Sequence, residues 1–488
     1  MSENKIKTEE VRKPETQISP EEMEVCLRVL QQVAYFPASV QGADRFKGLI
    51  SKVYKECKRF DHHEERWRKQ VEDRALLETT RMVEIQRDSP AVTALPAPDI
   101  ASPQRKLNKP ERCYICKGEY TEVHFFYHLL CPACAEFNHR MRHLSTDLTG
   151  RTALITGGRV KIGFQTVLKL LRDGAKVIVT TRFPNAAARR FHAENDSKEW
   201  EHRLQLYALD LRNIPAVEAF SQHLLATEPA LDIIIHNAAQ TIRRPPGFYR
   251  ELLALEHASQ DFLAIEAPRL VQSSPSTLMV SQRTFSDSQE LKEKEEAATS
   301  AVALSAVRNV LPVDALEDNE ERADFRDHNS WLLRLDEVSA PEMLEVQLVN
   351  SVAPFLLNSR LKPLLMRSSF PRRFIVNVSA MEGQFQRHKT VFHPHTNMAK
   401  AALNMMTRTS GEDYARDGIY MTSVDTGWIT DENPTPKRTR KQEDVGFFPP
   451  LDIFDGMARI YHPIAEGINE EKEPYFGIFL KDYVSCPW

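Results

Sequence analysis

Four cysteines, Cys113, Cys116, Cys131 and Cys134, fall as two Cys-x-x-Cys pairs with 14 residues between them. Each such turn offers two thiolates on one side, and two turns together complete a tetrahedron around one divalent ion. Zinc held by four soft ligands has no open position, so the chemistry expected is that of a closed structural zinc and not Lewis-acid catalysis. His124 and His128 lie between the pairs and read as packing or surface residues beside a ligand set already complete. A second constellation follows at Thr152–Gly163, TALITGGRVKIG. An apolar run breaks at Gly157 and Gly158 and restarts after Gly163 as FQTVLKLL, the pattern of strand, tight turn and helix. Such a turn lets a pyrophosphate approach the first backbone N–H groups of the helix, where the dipole is positive. Arg159 and Lys161 add cationic charge in the same loop.

Repeated strand–helix units must position that loop. A second apolar run, AKVIVT, spans Ala175–Thr180; a third, RLQLYAL, runs up to Asp210; a fourth, LDIII, runs into His236, Asn237 and Ala238. Strands recurring in alternation with helical patterns imply a parallel sheet with right-handed crossovers. The expected fold is α/β, a doubly wound parallel sheet of the Rossmann type, preceded by a small zinc-binding module and a helical N-terminal segment. At these motifs the chain resembles the short-chain dehydrogenase/reductase family, as a divergent member.

The resemblance carries expectations residue by residue. It implies that Thr156, Gly157, Gly158, Lys161, Ile162 and Gly163 form the cofactor loop, with Lys161 in the place of the middle glycine of the family's TGxxxGxG pattern. Arg182 ends the second strand, where NAD-preferring members commonly carry a carboxylate. A guanidinium there suits a 2′-phosphate, so NADP(H) is expected ahead of NAD(H). Asp210 and Leu211 fall where the family meets adenine, and Asn237 and Ala238 match the centre of its Asn-Asn-Ala-Gly motif. Asn350 in LEVQLVNSVAPFLL, Ser379 at the end of RFIVNVS and Lys400 in HTNMAKAALNMM match catalytic positions of the family. The family's tyrosine position is Thr396, whose hydroxyl is a much weaker acid than a phenol. The proton is then expected from a loop histidine, His395, or from Ser379 and a water ordered by Asn350 and Lys400. Gly427 and Thr430 match the loop that meets the nicotinamide carboxamide, and the loop beyond, PTPKRTRK, covers the substrate in the family. Two functions stay open. One is an NADP(H)-dependent oxidoreductase acting on a carbonyl or alcohol; the other is a catalytically inactive cofactor-binding scaffold or sensor that uses its zinc and helical modules for protein partners.

The chain of 488 residues is 42% hydrophobic and carries a net charge of −4, globular material long enough for more than one domain. No run of about 18 apolar residues occurs, and MSENKIKTEE is too polar to begin a secretory signal. The expectation is a soluble cytoplasmic protein with no membrane partner, the nucleus being the alternative suggested by the basic PKRTRK stretch. The expected organisation is a disordered tail over 1–19, a helical segment over 20–87, a linker over 88–110, a zinc module over 111–143 and the dehydrogenase-like domain over 147–488. An insertion at about 241–340 interrupts that domain. It reads as a substrate lid or a surface excursion, with its charged stretch DSQELKEKEEAATS disordered on composition. A small-molecule substrate is expected and nucleic acid is disfavoured. A protein partner on the N-terminal helices and a homo-oligomer stay open.

Overall fold

The run Thr152–Thr156 sends Ala153 and Ile155 into one apolar cluster and Leu154 into another, so it is an inner strand covered on both faces. In the computed structural model the described residues are 18–39, 43–88, 105–257, 271–272 and 323–488. Their contacts divide the chain into a unit ending at Glu72 and a unit running from Asp73 to Trp488.

The second unit holds two sheets. The smaller is an antiparallel pair, β1 (Lys106–Arg112) and β2 (Glu119–Glu122). The larger comprises β3 (Thr152–Thr156), β4 (Lys176–Thr181), β5 (Leu204–Ala208), β6 (Ile233–His236), β7 (Arg373–Ser379), β8 (Ile419–Asp425), β9 (Phe479–Lys481) and β10 (Val484–Cys486). Its order is β10-β9-β8-β7-β6-β3-β4-β5, parallel throughout except for the last hairpin, β9 with β10. The order reverses between β3 and β6, which opens a crevice at their carboxyl ends. Helices Lys161–Arg172, Pro184–His192 and Ile453–Asn469 pack on one face, and Ile214–Thr227 and Ala353–Met366 on the other. The doubly wound fold is as expected.

A third core belongs to the cysteine module, built from Leu107, Tyr120, Phe126, Tyr127 and Leu130 with helix Pro132–Met141 beside it. Ile429 and Leu451 from the large sheet's connections complete that core. Arg142 then forks onto Asp452 at 2.7 and 2.9 Å, and Arg459 donates to Asn138 at 2.8 Å. Both ion-pair partners are buried, so the module and helix Ile453–Asn469 are joined by a buried polar network as well as by apolar contact.

The first unit is helical. Helix Pro20–Tyr35 starts at a reciprocal cap between Ser19 and Glu22, with proline at its first turn, and it buries no side chain. Most of the long helix Ala43–Glu78 follows, with Leu49, Val53, Phe60 and Trp67 exposed.

Some boundaries differ from expectation. The linker expected over 88–110 lies for the most part outside the described residues, and from Lys106 the chain is already strand. Most of the expected tail and the whole of DSQELKEKEEAATS also lie outside them. PTPKRTRK is largely helix, Thr435–Val445, entered through Pro434 and stopped at Gly446 with φ +64°. No helix among the described residues is long and apolar enough to cross a membrane.

Candidate active site

At the end of β3 the chain turns at Gly157, with φ +71° and Ala238 packed so close that an added Cβ would lie 2.8 Å from its Cα. At Gly163 a Cβ would stand 2.2 Å from the Gly157 carbonyl oxygen, so only glycine lets helix Lys161–Arg172 start against the turn. Asn237 locks the arrangement: its Nδ2 donates to the Gly157 carbonyl at 2.9 Å, while the Ala238 N–H donates to Thr156 Oγ1 at 3.2 Å. Gly158 packs between Val167 and Val179, and Ile162 against the cysteine module's core. Lys161 takes a left-handed conformation, φ +54°, which glycine adopts without penalty and lysine does not. Val160 gives that helix no side-chain cap, so its first N–H groups are left for an anion, as a pyrophosphate requires.

The residues expected to meet the nucleotide lie beyond β4 and β5. Arg182 sits over the ring of Tyr249, 4.6 Å from its centroid, and over Phe183 at 5.2 Å. Asp210 is gripped by Arg212, with Oδ1 3.0 Å from Nε and Oδ2 2.5 Å from Nη2. Burial pushes the Asp210 carboxyl up, but Arg212 and the more distant Arg182 outweigh it and hold the group below the usual carboxylate range. The Leu211 side chain packs into the core with Tyr207 and Phe220.

At the other end of the crevice Ser379 closes β7, 3% exposed, and its Oγ meets no hydrogen-bond partner among the described residues. Lys400, on helix Pro394–Arg416, donates from Nζ to the Val378 carbonyl at 2.8 Å, one residue from Ser379. Burial pushes its pKa down to about 8 against the pull of Glu382 and Asp425. Thr396 lies one turn before Lys400 on the same helix face, also buried and with Oγ1 unpartnered. His395 is no loop residue. It is the second residue of the helix, 2% exposed, with Nε2 3.8 Å from Glu342 Oε1. Burial lowers its pKa, more than Glu342 restores it.

Asn350 occupies a single wide turn, Leu348–Val352, with i→i+5 spacing between helices Ala340–Gln347 and Ala353–Met366. Its side chain takes both backbone groups of Gln240: Oδ1 accepts the N–H at 2.7 Å and Nδ2 donates to the carbonyl at 3.1 Å. Those bonds clamp the loop after β6, so the amide expected to help order a water is already committed.

The described flanks of the insertion meet this end. Asn329 donates to the Glu432 carbonyl at 2.9 Å, and the Thr435 N–H donates to that of Asp324 at 2.8 Å. Trp331 stacks on His393 with ring centroids 4.0 Å apart, immediately before the helix that carries Thr396 and Lys400.

The cysteine module borders the same loop. The four Sγ atoms of Cys113, Cys116, Cys131 and Cys134 lie within 4.8 Å of one another, with Cys116 and Cys131 at 3.7 Å. Sulfurs about 2.3 Å from a tetrahedral zinc are ~3.8 Å apart, so the donor set fits a metal ion. His124 and His128 stand outside it; His128 Nε2 meets the Phe448 carbonyl at 3.2 Å, and His124 Nδ1 accepts the Phe126 N–H at 3.1 Å. Tyr114, inside the first Cys-x-x-Cys, accepts the Trp428 N–H at 3.0 Å in the turn made by Gly427, φ +85°. Thr430 donates to Glu432 at 2.8 Å.

Sequence reasoning missed Arg212, Glu382, Tyr114, Tyr249 and Glu256. Only Tyr114 carried a signal, an aromatic between two metal ligands. Glu382, Tyr249 and Glu256 act across longer separations in the chain, and Arg212, two residues after Asp210, pairs with it through a side-chain fork that no periodicity marks.

A profile described as short chain dehydrogenase matches residues 151–252. The chain is 31% identical over 390 residues to uncharacterized protein R665 of Acanthamoeba polyphaga mimivirus, covering 77% of this chain and 74% of that protein. It is 37% identical over 139 residues to dehydrogenase/reductase SDR family member 13 of Bos taurus, over 28% of this chain and 36% of that protein, about a third of its length. Among solved structures it is similar to the short chain dehydrogenase from Shigella flexneri, with TM-score 0.43 and 15% identity, over 70% of this chain and 95% of that one. The profile match covers β3 to β6, where the glycine turn and the reversal of strand order make the crevice. The chain belongs, as a divergent member, to the short-chain dehydrogenase/reductase family of oxidoreductases.

Proposed function

We propose that the protein is an NADP(H)-dependent oxidoreductase that reduces a carbonyl or oxidises the matching alcohol without the family's tyrosine, and that its four cysteines hold a closed structural zinc. The observation that carries the first part is the pair of buried, unpartnered hydroxyls, Ser379 Oγ and Thr396 Oγ1, beside the buried Lys400 ammonium. Unpaired polar groups in a dry site are costly unless a ligand supplies the missing bond.

NADPH, when bound, supplies the hydride. Ser379 donates its hydroxyl to the reacting carbonyl oxygen and orients it. Lys400 holds the proton at Nζ near neutral pH and passes it by way of a bridging water to Thr396 Oγ1, one helical turn away, and from there to that oxygen. His395, held neutral by its burial, is the poorer acid. Asn350 positions the loop after β6, and Arg182 and the Lys161 loop hold the cofactor's phosphates.

The second reading, a cofactor-binding scaffold, is favoured by Thr396 itself, since an aliphatic hydroxyl needs the lysine's help to move a proton. Nicotinamide-fluorescence titration with NADPH and NADH, followed by a carbonyl screen, separates the two. Saturable NADPH binding is expected, weakened in both Arg182→Ala and Lys400→Ala. NADPH oxidation should fall about 10²-fold or more in Ser379→Ala, by the usual loss of one oxyanion donor, and fall in Thr396→Val with the fold intact. Binding without turnover of any carbonyl leaves the scaffold; binding of neither nucleotide rejects both readings.

A further inference from the structure

The insertion leaves β6 at the reacting end, yet its first described segment returns to the nucleotide end. Residues Pro246–Tyr249 make one tight turn and continue as helix Arg250–His257. Two side chains of this segment reach the groups that would hold an adenosine 2′-phosphate. Arg182 stacks on the Tyr249 ring at 4.6 Å, and that ring lies 5.4 Å from Phe183. Glu256 places its carboxylate on the start of helix Pro184–His192: Oε2 accepts the Asn185 N–H at 3.0 Å and Oε1 accepts the Ala186 N–H at 3.0 Å. Asn185 Nδ2 also donates to the Glu256 carbonyl at 3.4 Å. Phe183, at the cap position, has no side-chain oxygen to offer, so the carboxylate stands in for the missing cap. Arg159 and Arg189 lie close enough for their charges to act on it.

An aromatic ring on a guanidinium and an anion on two helix N–H groups are the contacts that a purine and a phosphate make. We infer that Tyr249 and Glu256 form an internal mimic of the adenosine 2′-phosphate, which NADP(H) must displace in order to bind. The inference rests on the NADP(H) reading above. Its consequence is a coupling between the two ends of the crevice. The stretch leading into the mimic touches the flank that packs against the loop after β8 and against His393, the Arg243 N–H donating to Ser330 Oγ at 2.8 Å, so nucleotide entry and the position of that flank are joined by direct contact. Selectivity follows from the division of labour. Glu256 competes with the 2′-phosphate alone, whereas Tyr249 competes with any adenine nucleotide.

The probe is adenosine 2′,5′-bisphosphate, with 5′-AMP as its partner lacking the 2′-phosphate, bound to the full-length wild type, Glu256→Gln and Tyr249→Ala by calorimetry. A mimic that occupies its site nine-tenths of the time weakens the apparent affinity about tenfold. Glu256→Gln should therefore bind the bisphosphate about tenfold tighter and 5′-AMP within twofold of wild type, and Tyr249→Ala should bind both tighter. Hydrogen exchange guards against a variant that disturbs folding. In the unmutated protein, saturating bisphosphate should deprotect residues 248–256 while the amides of Asn185 and Ala186 stay protected. Equal affinity in all three proteins, or a segment that stays protected with ligand bound, overturns the mimic and leaves the NADP(H) reading standing. Bisphosphate binding by none of the three overturns the NADP(H) reading and the mimic with it.

Discussion

A lysine sealed from water holds its proton less firmly than one in solvent, because burial removes the water that stabilises the ammonium. Lys400 is in that position, with its pKa pushed down to about 8. Below about 8 the residue is charged in both the folded and unfolded chain, and the fold bears the whole burial penalty. Between about 8 and the ordinary lysine value of 10.5 the unfolded chain keeps the proton and the fold does not, so stability rises with pH across that window. Denaturant unfolding should show a wild-type rise of up to about 1.4 kcal/mol per pH unit relative to Lys400→Met. Parallel pH profiles for the two proteins would mean that Lys400 is not held in this way. The same charge state matters for chemistry, since the proposed proton donor is present below that pH and absent above it.

At the scale of elements, the glycine turn carries one residue in a conformation that glycine adopts more easily. Two of its positions demand glycine on steric grounds, but Lys161 takes a left-handed conformation with a full side chain. A non-glycine residue there costs roughly 1 kcal/mol. Lys161→Gly should raise the unfolding free energy by about that much, read as a higher urea midpoint at an unchanged slope. If the ammonium compensates by holding a cofactor phosphate, the same change weakens NADPH binding, and the two effects have opposite sign. A variant with no gain in stability would show that the turn carries no strain at Lys161. The turn of i→i+5 spacing around Asn350 is a second local irregularity, held by the two bonds to Gln240.

Across the whole second unit, the cysteine module is part of the framework of the dehydrogenase-like domain. Ile162 of the glycine loop and Ile429 of the loop after β8 both pack into the module's core. Tyr114 holds the backbone of Trp428, and Arg142 is buried against Asp452 and Asp455. Metal analysis of the purified protein should find one zinc per chain, the count for a single four-cysteine site. Its removal by a chelator, or Cys131→Ser, should lower Tm, by about 2–4 °C for each kcal/mol lost. NADPH affinity should fall with it, because both walls of the crevice lean on that core. Unchanged NADPH binding in the metal-free protein would confine the module to a role in stability.

Much of this was legible in the chain because it is written locally. Alternating burial in β3, the glycines at 157 and 163, and the Cys-x-x-Cys pairs each follow from contacts between near neighbours, whose steric and ligand demands leave a pattern in residue type. The resemblance likewise put Ser379 at the end of a strand and Lys400 on a helix, and in the structure β7 ends at Ser379 and helix Pro394–Arg416 carries Lys400. What periodicity could not reveal was every contact between distant segments. Glu256 meets Asn185 across 71 residues, Asn350 meets Gln240 across 110, and Tyr114 meets Trp428 across 314. Such pairs impose no repeat on the sequence; their partners are chosen by how strands and helices stack, and many residue types would satisfy either side alone. Sequence by itself therefore determined a glycine turn on a parallel sheet and a cluster of four cysteines with the donor set of a metal site. Only the tertiary structure decided that the cysteine module braces the crevice and that the insertion brings an aromatic ring onto Arg182 and a carboxylate onto the start of helix Pro184–His192, because packing alone brings them there.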